Sequence, residues 1–313
     1  MAIADLGTTA GAKTGRGGWL RQTVANQPIG RLLLLPALAY AILVTQAPFL
    51  YTLWLSFERW NLNRPNLRGF TGLGNYELLL FRDPAFWQSI LNTFIIVVAA
   101  VVLSMALGLF YAELVNHKFL GRGVVRTMLI TPFLIMPVAA ALHWKNQMLN
   151  PIYGVVNWVL SIVPGSLSPN WLGTFPEQSI IVVLVWRWAP FMMLILLAGM
   201  QSISEETREA VRVDGATAWR EFRDITLPHL YRFFQLGGLL ATVFIVQEID
   251  PIYMMTKGGP GNATTTLPYL VYRKAIEGSN VGLGAATGVI TVLLSIVAIT
   301  LLLRALDRML RED

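Results

Sequence analysis

The 313 residues are 55% hydrophobic and only 13% charged, with a mean hydropathy of +0.56, which excludes an ordinary soluble domain and points to the membrane class. The absence of cysteine excludes disulfides and thiolate metal sites without identifying a compartment. A net charge of +6 could suit nucleic acid or anionic lipid, but the positions of the charges along the chain fit membrane topology instead, and no nucleic-acid partner is expected.

Residues 1–30 form a polar, Gly-rich tail, expected to be disordered and cytoplasmic, ahead of a single transmembrane domain over 31–313. The tail runs into an apolar stretch too long for the core of a cleavable signal, so the first helix is expected to be retained. Within the tail, "GTTAGAKT" (Gly7 to Thr14) nearly matches a phosphate-binding loop. Ala12 replaces the second glycine, and six upstream residues cannot supply the strand such a loop needs, so the match is set aside.

A helix needs about 20 apolar residues to cross a hydrocarbon core roughly 30 Å thick. Six stretches meet or approach that length: Leu32–Ser56, Trp87–Ala112, Val124–Trp144, Ser179–Met200, Leu230–Ile249 and Gly284–Leu303. The first holds Pro36 and Pro48 and the third Pro132 and Pro137, which spanning helices tolerate where neighbours re-satisfy the freed carbonyls. Topology follows the Lys and Arg residues. With the N-terminus inside, fifteen of the 24 lie on the inner side, eight on the outer, and Arg187 within the fourth span. The reading is an all-α membrane protein with six transmembrane helices and both termini cytoplasmic.

Between the third and fourth stretches, Ile152, Val155, Val156, Val159, Leu160 and Val163 repeat at helical spacing before Pro164. Twelve residues cannot span, so an amphipathic helix at the outer interface is expected, with a docking surface for an external partner as the alternative. Between the fourth and fifth stretches, the charged insert at about 202–229 predicts two short helices. Ser202 and Glu205 have capping-box spacing, and a helix starts near Ser204, followed by Glu205 and Glu206. Asp214–Gly215 marks a turn, and a second helix with Ala218, Phe222 and Ile225 on its apolar side is expected to stop at Pro228. The product is a compact cytoplasmic knob anchored on two spans.

Charges inside a bilayer cost several kcal/mol and face a cavity or another polar group. Arg187, Gln247, Glu248 and Asp250 therefore stand out. On a continuous helix, Glu248 lies sixteen residues past Arg232, about 24 Å at roughly 1.5 Å per residue, deep and toward the outer half. Arg187 could pair with Glu248 or Asp250. Gly284 and Gly288 form a G-x-x-x-G that predicts close helix approach, and Trp186 and Trp188 fit an interfacial aromatic belt. His117, His143 and His229 are dispersed without metal spacing, and no nucleophile–base arrangement is visible, so no metal, no cofactor and no catalytic residue is expected.

Several of these residues carry a resemblance. Glu209, Ala210, Asp214, Gly215, Ala216, Phe222, Ile225, Leu227 and Pro228 resemble the EAA loop of ABC importer permeases of the binding-protein-dependent carbohydrate group. "MMTKGGPGNATTTLPYLVYRKA" (Met254 to Ala275), followed by Gly282 and Ala285–Ala286, is similar to the segment preceding the last span of sugar permeases. "FTGLGNYELLL" (Phe70 to Leu80) is similar to the stretch after their first span. The wording around Ile252–Thr266 resembles the polyol (sorbitol/mannitol-type) members. Val211 departs from the pattern, where a second alanine is usual.

The resemblance implies a permease subunit in the cytoplasmic (inner) membrane. It implies pairing with a second permease, two cytoplasmic ATPase subunits and an extracytoplasmic solute-binding protein to import a sugar or sugar alcohol. Glu209, Ala210, Asp214, Gly215 and Ala216 would couple to the ATPase, with Glu209 pairing a cation there or, alternatively, Arg208 or Arg212 in its own helix. Gln247 and Glu248, then Asp250 and Tyr253, would line the substrate path. The rival readings are a proton-coupled secondary transporter using Glu248 and Asp250, and a membrane enzyme; neither needs the cytoplasmic knob.

Overall fold

The computed structural model describes residues 28–163 and 168–311. The chain divides into two units, 1–52 and 53–313. The tail expected over 1–30 and Pro164 fall almost wholly outside the described residues. In the first unit, the helix α1 (Pro28–Ser56, reaching into the second unit) carries Pro36 and Pro48 in its interior. Thr45 Oγ1 and Thr52 Oγ1 donate to the carbonyls of Ala41 and Pro48, which adds hydrogen bonds to a ladder that the two prolines interrupt.

The second unit opens with a short antiparallel pair, β1 (Glu58–Arg59) and β2 (Gly69–Phe70), in which Glu58 faces Phe70 and Arg59 faces Gly69. Asn75, in α2 (Gly74–Glu77), donates through Nδ2 to the carbonyls of Ser56 and Glu58. A Cβ on Gly282 would stand 2.0 Å from the Glu58 carbonyl oxygen, so only glycine admits this hairpin against the start of the last helix.

Two long helices form the frame: α3 (Pro84–Asn116, capped by Asp83, whose side chain accepts from the Ala85 amide) and, later, Pro176–Gln201. Between them come α4 (Arg122–Leu134), α5 (Pro137–His143, prolonged by a π-turn to Met148), α6 (Val155–Ser161) and α7 (Trp171–Thr174). The second frame helix is α8. The third expected crossing is therefore not one straight helix. α4 and α5 meet at an angle of 100°. Pro137 forces Met136 to an extended ψ of 134° and cannot supply an amide hydrogen, so the helical ladder ends at Leu134. The helix expected at the outer interface is shorter than its apolar pattern: α6 has seven residues, with Ile152, Val155, Val159 and Val163 exposed and Val156 turned to the core.

After α8 come α9 (Glu205–Val213), α10 (Ala218–Glu221), a π-turn over Phe222–Thr226 and α11 (Leu227–Ile245). Pro228 does not stop a helix, contrary to the sequence expectation. It lies in the first turn of α11, and the wider π-turn before it accommodates the ring where an α-helical carbonyl would clash. A π-turn over Ile252–Thr256, α12 (Leu267–Tyr272), a further π-turn over Arg273–Glu277 and α13 (Val281–Arg311) follow.

Among the described residues four helices are long and apolar enough to cross a membrane: residues 34–56 of α1, α3, α8 and residues 281–300 of α13. The bent α4–α5 pair makes up to five. The Leu230–Ile249 stretch falls short because α11 ends at Ile245 and carries His229, Arg232 and Gln235 in its first half.

The core is built on α3 against α8, with α4 and α11 packed on α8. Ile96, Val97 and Ala100 of α3 meet Ile180, Val183, Leu184 and Trp188 of α8, and Ala241 and Ile245 of α11 close the cluster. A Cβ on Gly108 would sit 2.4 Å from Met192 Cβ and 2.9 Å from the Ala189 carbonyl oxygen, so the two frame helices approach closely at Gly108. The expected G-x-x-x-G of the last helix is half realised. A Cβ added at Gly284 would stand 2.5 Å from Ala275 Cβ, whereas one added at Gly288 would meet nothing nearer than Val271 at 3.9 Å.

Gly108→Leu should therefore lower the unfolding midpoint in detergent, costing about 1–3 kcal/mol by overpacking, while Gly288→Ala should leave it unchanged; thermal unfolding followed by tryptophan fluorescence compares the two.

Candidate functional site in the charged elbow and the broken fifth segment

The elbow starts with Ser204, not Ser202, as the cap of α9: Ser204 Oγ accepts from the Thr207 amide and lies 2.7 Å from Thr207 Oγ1. Ser202 does something else. Its hydroxyl donates to the Gly199 carbonyl at 2.8 Å, which leaves its lone pairs to accept from His229 Nε2 at 2.7 Å. Ser202 and His229 stand at the two ends of the insert, so this bond pins its feet together.

α9 ends at Asp214–Gly215. Gly215 has φ +77°, and the Ala216 amide reaches back to the Val211 carbonyl. An added Cβ there would meet nothing within 4 Å, so the left-handed backbone alone selects glycine. Thr217 then caps α10, accepting from the Arg220 amide. Arg208 braces the two helices: one guanidinium nitrogen donates to the Met200 carbonyl of α8 at 2.7 Å and the other lies 3.8 Å from Glu221 Oε1.

Glu209, Ala210, Asp214 and Gly215 are exposed along the outer surface of this knob, and Ala216 is half-buried. Arg208, one of the two intrahelical partners considered for Glu209, is engaged with Met200 and Glu221; the side chain of Arg212, the other, lies outside the described residues. Two exposed apolar side chains escaped the sequence reasoning. Val213 is 86% exposed and Trp219 67%, the latter stacked on Phe222 with ring centroids 5.8 Å apart. The available signal was a tryptophan inside an otherwise charged segment. Arg223 at the surface hydrogen-bonds Asp224 at 2.6 Å and holds its carboxyl below the usual carboxylate range. Behind the knob, a groove of about 760 Å³ separates it from the end of α3 and is bordered by His117, Lys118, Arg122, Arg208 and Glu221.

The second candidate site lies where α11 ends. The amides of Gln247 and Glu248 bond to carbonyls three residues back, those of Phe244 and Ile245, and helix resumes only around Pro251. Glu248 thus sits in a break rather than on a continuous helix, and its depth cannot be counted from Arg232 at the α-helical rise. Both Glu248 carboxylate oxygens accept from Arg187 Nη1 at 2.8 Å, and Oε1 also accepts from Trp188 Nε1 at 3.0 Å. Arg187 is only 6% exposed. Of the two partners considered for Arg187, the structure gives it Glu248. Trp188 is buried against Phe133, Phe191 and Phe244 and belongs to the core, not to an interfacial belt. Trp186 is half-buried against His143 and Trp144.

Gln247 is exposed and donates to the Val243 carbonyl at 2.7 Å; Asp250 is half-buried. Tyr253 joins Tyr269 and Tyr272 in an aromatic group, at centroid distances of 6.3 and 5.2 Å. Lys145 of the α5 π-turn donates to the Met254 carbonyl. Gln247 and Glu248 thus lie in the break, whereas Tyr253 belongs to the aromatic group of the segment that follows it.

The "KGGPGNATTT" turn that follows is cross-linked and partly buried, with Gly258 and Thr264–Thr266 buried and Lys257, Pro260 and Gly261 exposed. Lys257, Gly258 and Gly261 have positive φ. Thr256 and Thr264 share a hydrogen bond of 2.6 Å, and Thr265 Oγ1 donates to the Gly258 carbonyl. Asn92 of α3 donates to the carbonyls of Asn262 and Thr265, and Thr93 accepts from the Leu267 amide. Arg273 binds Asn262, and Lys274 pairs with Asp83.

Residues 104–312 match the family described as binding-protein-dependent transport system inner membrane component, a span that includes both the elbow and the break. The chain is 36% identical over 269 residues to the trehalose/maltose transport system permease protein MalF of Thermococcus litoralis, covering 85% of this chain and 89% of that protein. It is 34% identical over 268 residues to the trehalose transport system permease protein SugA of Mycobacterium tuberculosis, covering 85% of each. In fold it matches a chain of a bacterial ABC transporter involved in the import of the acidic polysaccharide alginate, with a TM-score of 0.76 over 93% of this chain and 99% of that chain at 21% identity. It is a multi-pass protein of the inner membrane, and it belongs to the family of binding-protein-dependent transport system inner membrane components.

Proposed function

We propose that this chain is the permease subunit of an ABC importer that carries a sugar or sugar alcohol, and that the elbow over 202–229 is where a separate ATPase drives it. One observation carries the coupling assignment. Two short helices form a self-braced knob, pinned at its feet by Ser202 and His229, that presents Glu209, Val213 and Trp219 outward. An exposed tryptophan and valine beside a carboxylate suit a protein partner's cleft: aromatic anchors supply the burial and a charge supplies the register.

The topology that goes with this reading has six crossings, with both termini and the elbow in the cytoplasm. The fifth crossing is α11 together with the segment beyond its break. Irregular backbone at membrane depth is tolerated where it is buried in protein or lines a cavity. The assembly comprises a second homologous permease, two cytoplasmic ATPase subunits and an extracytoplasmic solute-binding protein, and ATP hydrolysis belongs to the ATPases. The sugar assignment rests on the trehalose/maltose, trehalose and lactose permeases among the relatives and on a diacetylchitobiose uptake permease. A related fold occurs in an alginate transporter in complex with its pentasaccharide-bound periplasmic protein. The wording around Ile252–Thr266 favours a polyol within that class.

On the substrate path, Gln247, Asp250 and Tyr253 are assigned contact with hydroxyls and C–H faces, since amides and carboxylates bond hydroxyls and tyrosine rings pack on sugar rings. Glu248 is assigned a different part from the one its sequence suggests. A carboxylate held through both oxygens by a buried arginine anchors the break to α8, and this engagement argues against a proton relay.

Three measurements test these assignments. In the complex purified with its partners, Glu209→Ala or Gly215→Pro should leave the chain inserted and uncouple ATP hydrolysis from uptake, assayed across trehalose, maltose, lactose and sorbitol; unchanged transport removes the coupling assignment. Trp219→Ala should weaken retention of the ATPase on the permease by about tenfold or more, the scale of a buried aromatic anchor. Glu248→Ala alone should destabilise by about 3–5 kcal/mol because it strands the Arg187 charge, whereas Arg187→Met with Glu248→Leu should recover most of that loss. Equal melting of the single and double variants would return Glu248 to the substrate path.

A further inference from the structure

Beyond its immediate neighbour α10, α9 has no extensive packing partner among the described residues, and the groove behind the knob keeps it off the end of α3. An element that must pass on a push needs a stiff connection, and apolar packing does not provide one here. Arg208 does. It sits on α9, donates to the Met200 carbonyl in the last turn of α8, and faces Glu221 on α10. Both side chains of the pair are largely buried, at 17% and 13% exposure, which places the contact under the knob rather than on its outer surface. The Met200 carbonyl belongs to the last turn of a helix, where carbonyls lack intrahelical partners and attract a cation. A planar guanidinium can bond a carbonyl and a carboxylate in different directions at once, which a point-charge ammonium does less well.

We propose that Arg208 is the positioning residue that transmits movement of the elbow to α8, and through the frame contact at Gly108 to α3. The assignment rests on the reading of the elbow as the ATPase-coupling element. It is distinct from any contact that Glu209, Val213 or Trp219 makes with the ATPase. Arg208 holds the lever to its own protein, and its loss leaves the docking surface in place but makes the lever slack. The Ser202–His229 bond pins the feet of the insert, but it lies at the chain's own connection to α8 and α11 and leaves α9 free to pivot.

The test is hydrogen–deuterium exchange on the purified complex with and without ATP, a probe that needs no knowledge of the sugar. In the wild-type complex ATP should change exchange both in the elbow (residues 205–221) and in the last turn of α8 (residues 197–201). In Arg208→Gln the elbow response should persist while the α8 response falls about tenfold, the scale of losing a hydrogen bond to a charged group. Arg208→Lys should restore part of it. If Arg208→Gln fails to assemble, Glu221→Gln, which leaves the Met200 bond intact, should still reduce the α8 response by a smaller factor. An α8 response equal to wild type in every variant that assembles overturns the proposal. Absence of any ATP response in the elbow of the wild-type complex instead removes the coupling reading on which it stands.

Discussion

The close passage of α3 over α8 at Gly108 is the constraint on which the second unit is built. Without a side chain there, the backbone of residues 189–193 comes within van der Waals distance of the facing helix, and the larger residues on either side interdigitate. In a membrane, water does not drive helices together, so small residues that permit such approach decide which helices pair. Everything functional hangs from that pair. α8 sets Arg187 against the break after α11 and delivers Met200 to the elbow at its end.

Several irregular stretches among the described residues have polar groups met by a side chain from elsewhere in the chain. Asn75 serves the segment after α1, Asn92 and Thr93 serve the Lys257–Thr266 turn, Lys145 serves the Met254 carbonyl, and Arg187 serves the break after α11. Where water is scarce, an unmet backbone group costs more than the hydrogen bond that satisfies it is worth. The same logic applies at the elbow, where Arg208 and Arg122 each donate to a carbonyl in the last turn of a long helix, Met200 and Val115 respectively.

Local signals were legible in the sequence wherever both partners lie within a few residues. The glycine turn at Asp214–Gly215, the short helices on either side and the apolar lengths of α3 and α8 all follow from spacing and composition. What was not legible depends on partners far along the chain. Asn92 and Asn262 are 170 residues apart, so neither periodicity nor composition links them. Pro228 read as a stop because the rule for proline assumes an α-helical ladder, and a π-turn removes the clash. Glu248 was placed on a helix because Val246 and Ile249 continue the apolar run, although the chain unwinds after Ile245. Trp188 looked interfacial from its position, while three of its four ring and hydrogen-bond partners, Phe133, Phe244 and Glu248, come from other segments.

The threonine-rich turn after Met254 adds a mechanical consequence. Because its carbonyls are gripped by Asn92 and its following helix is tethered through Thr93, and because Lys274 clasps Asp83 at the head of α3, the turn is held to that helix. The turn, α3 and α8 are thereby tied into one packed body. A movement of α3 would then carry the turn along with it, because each tie joins the turn or the helix after it directly to that helix or its cap.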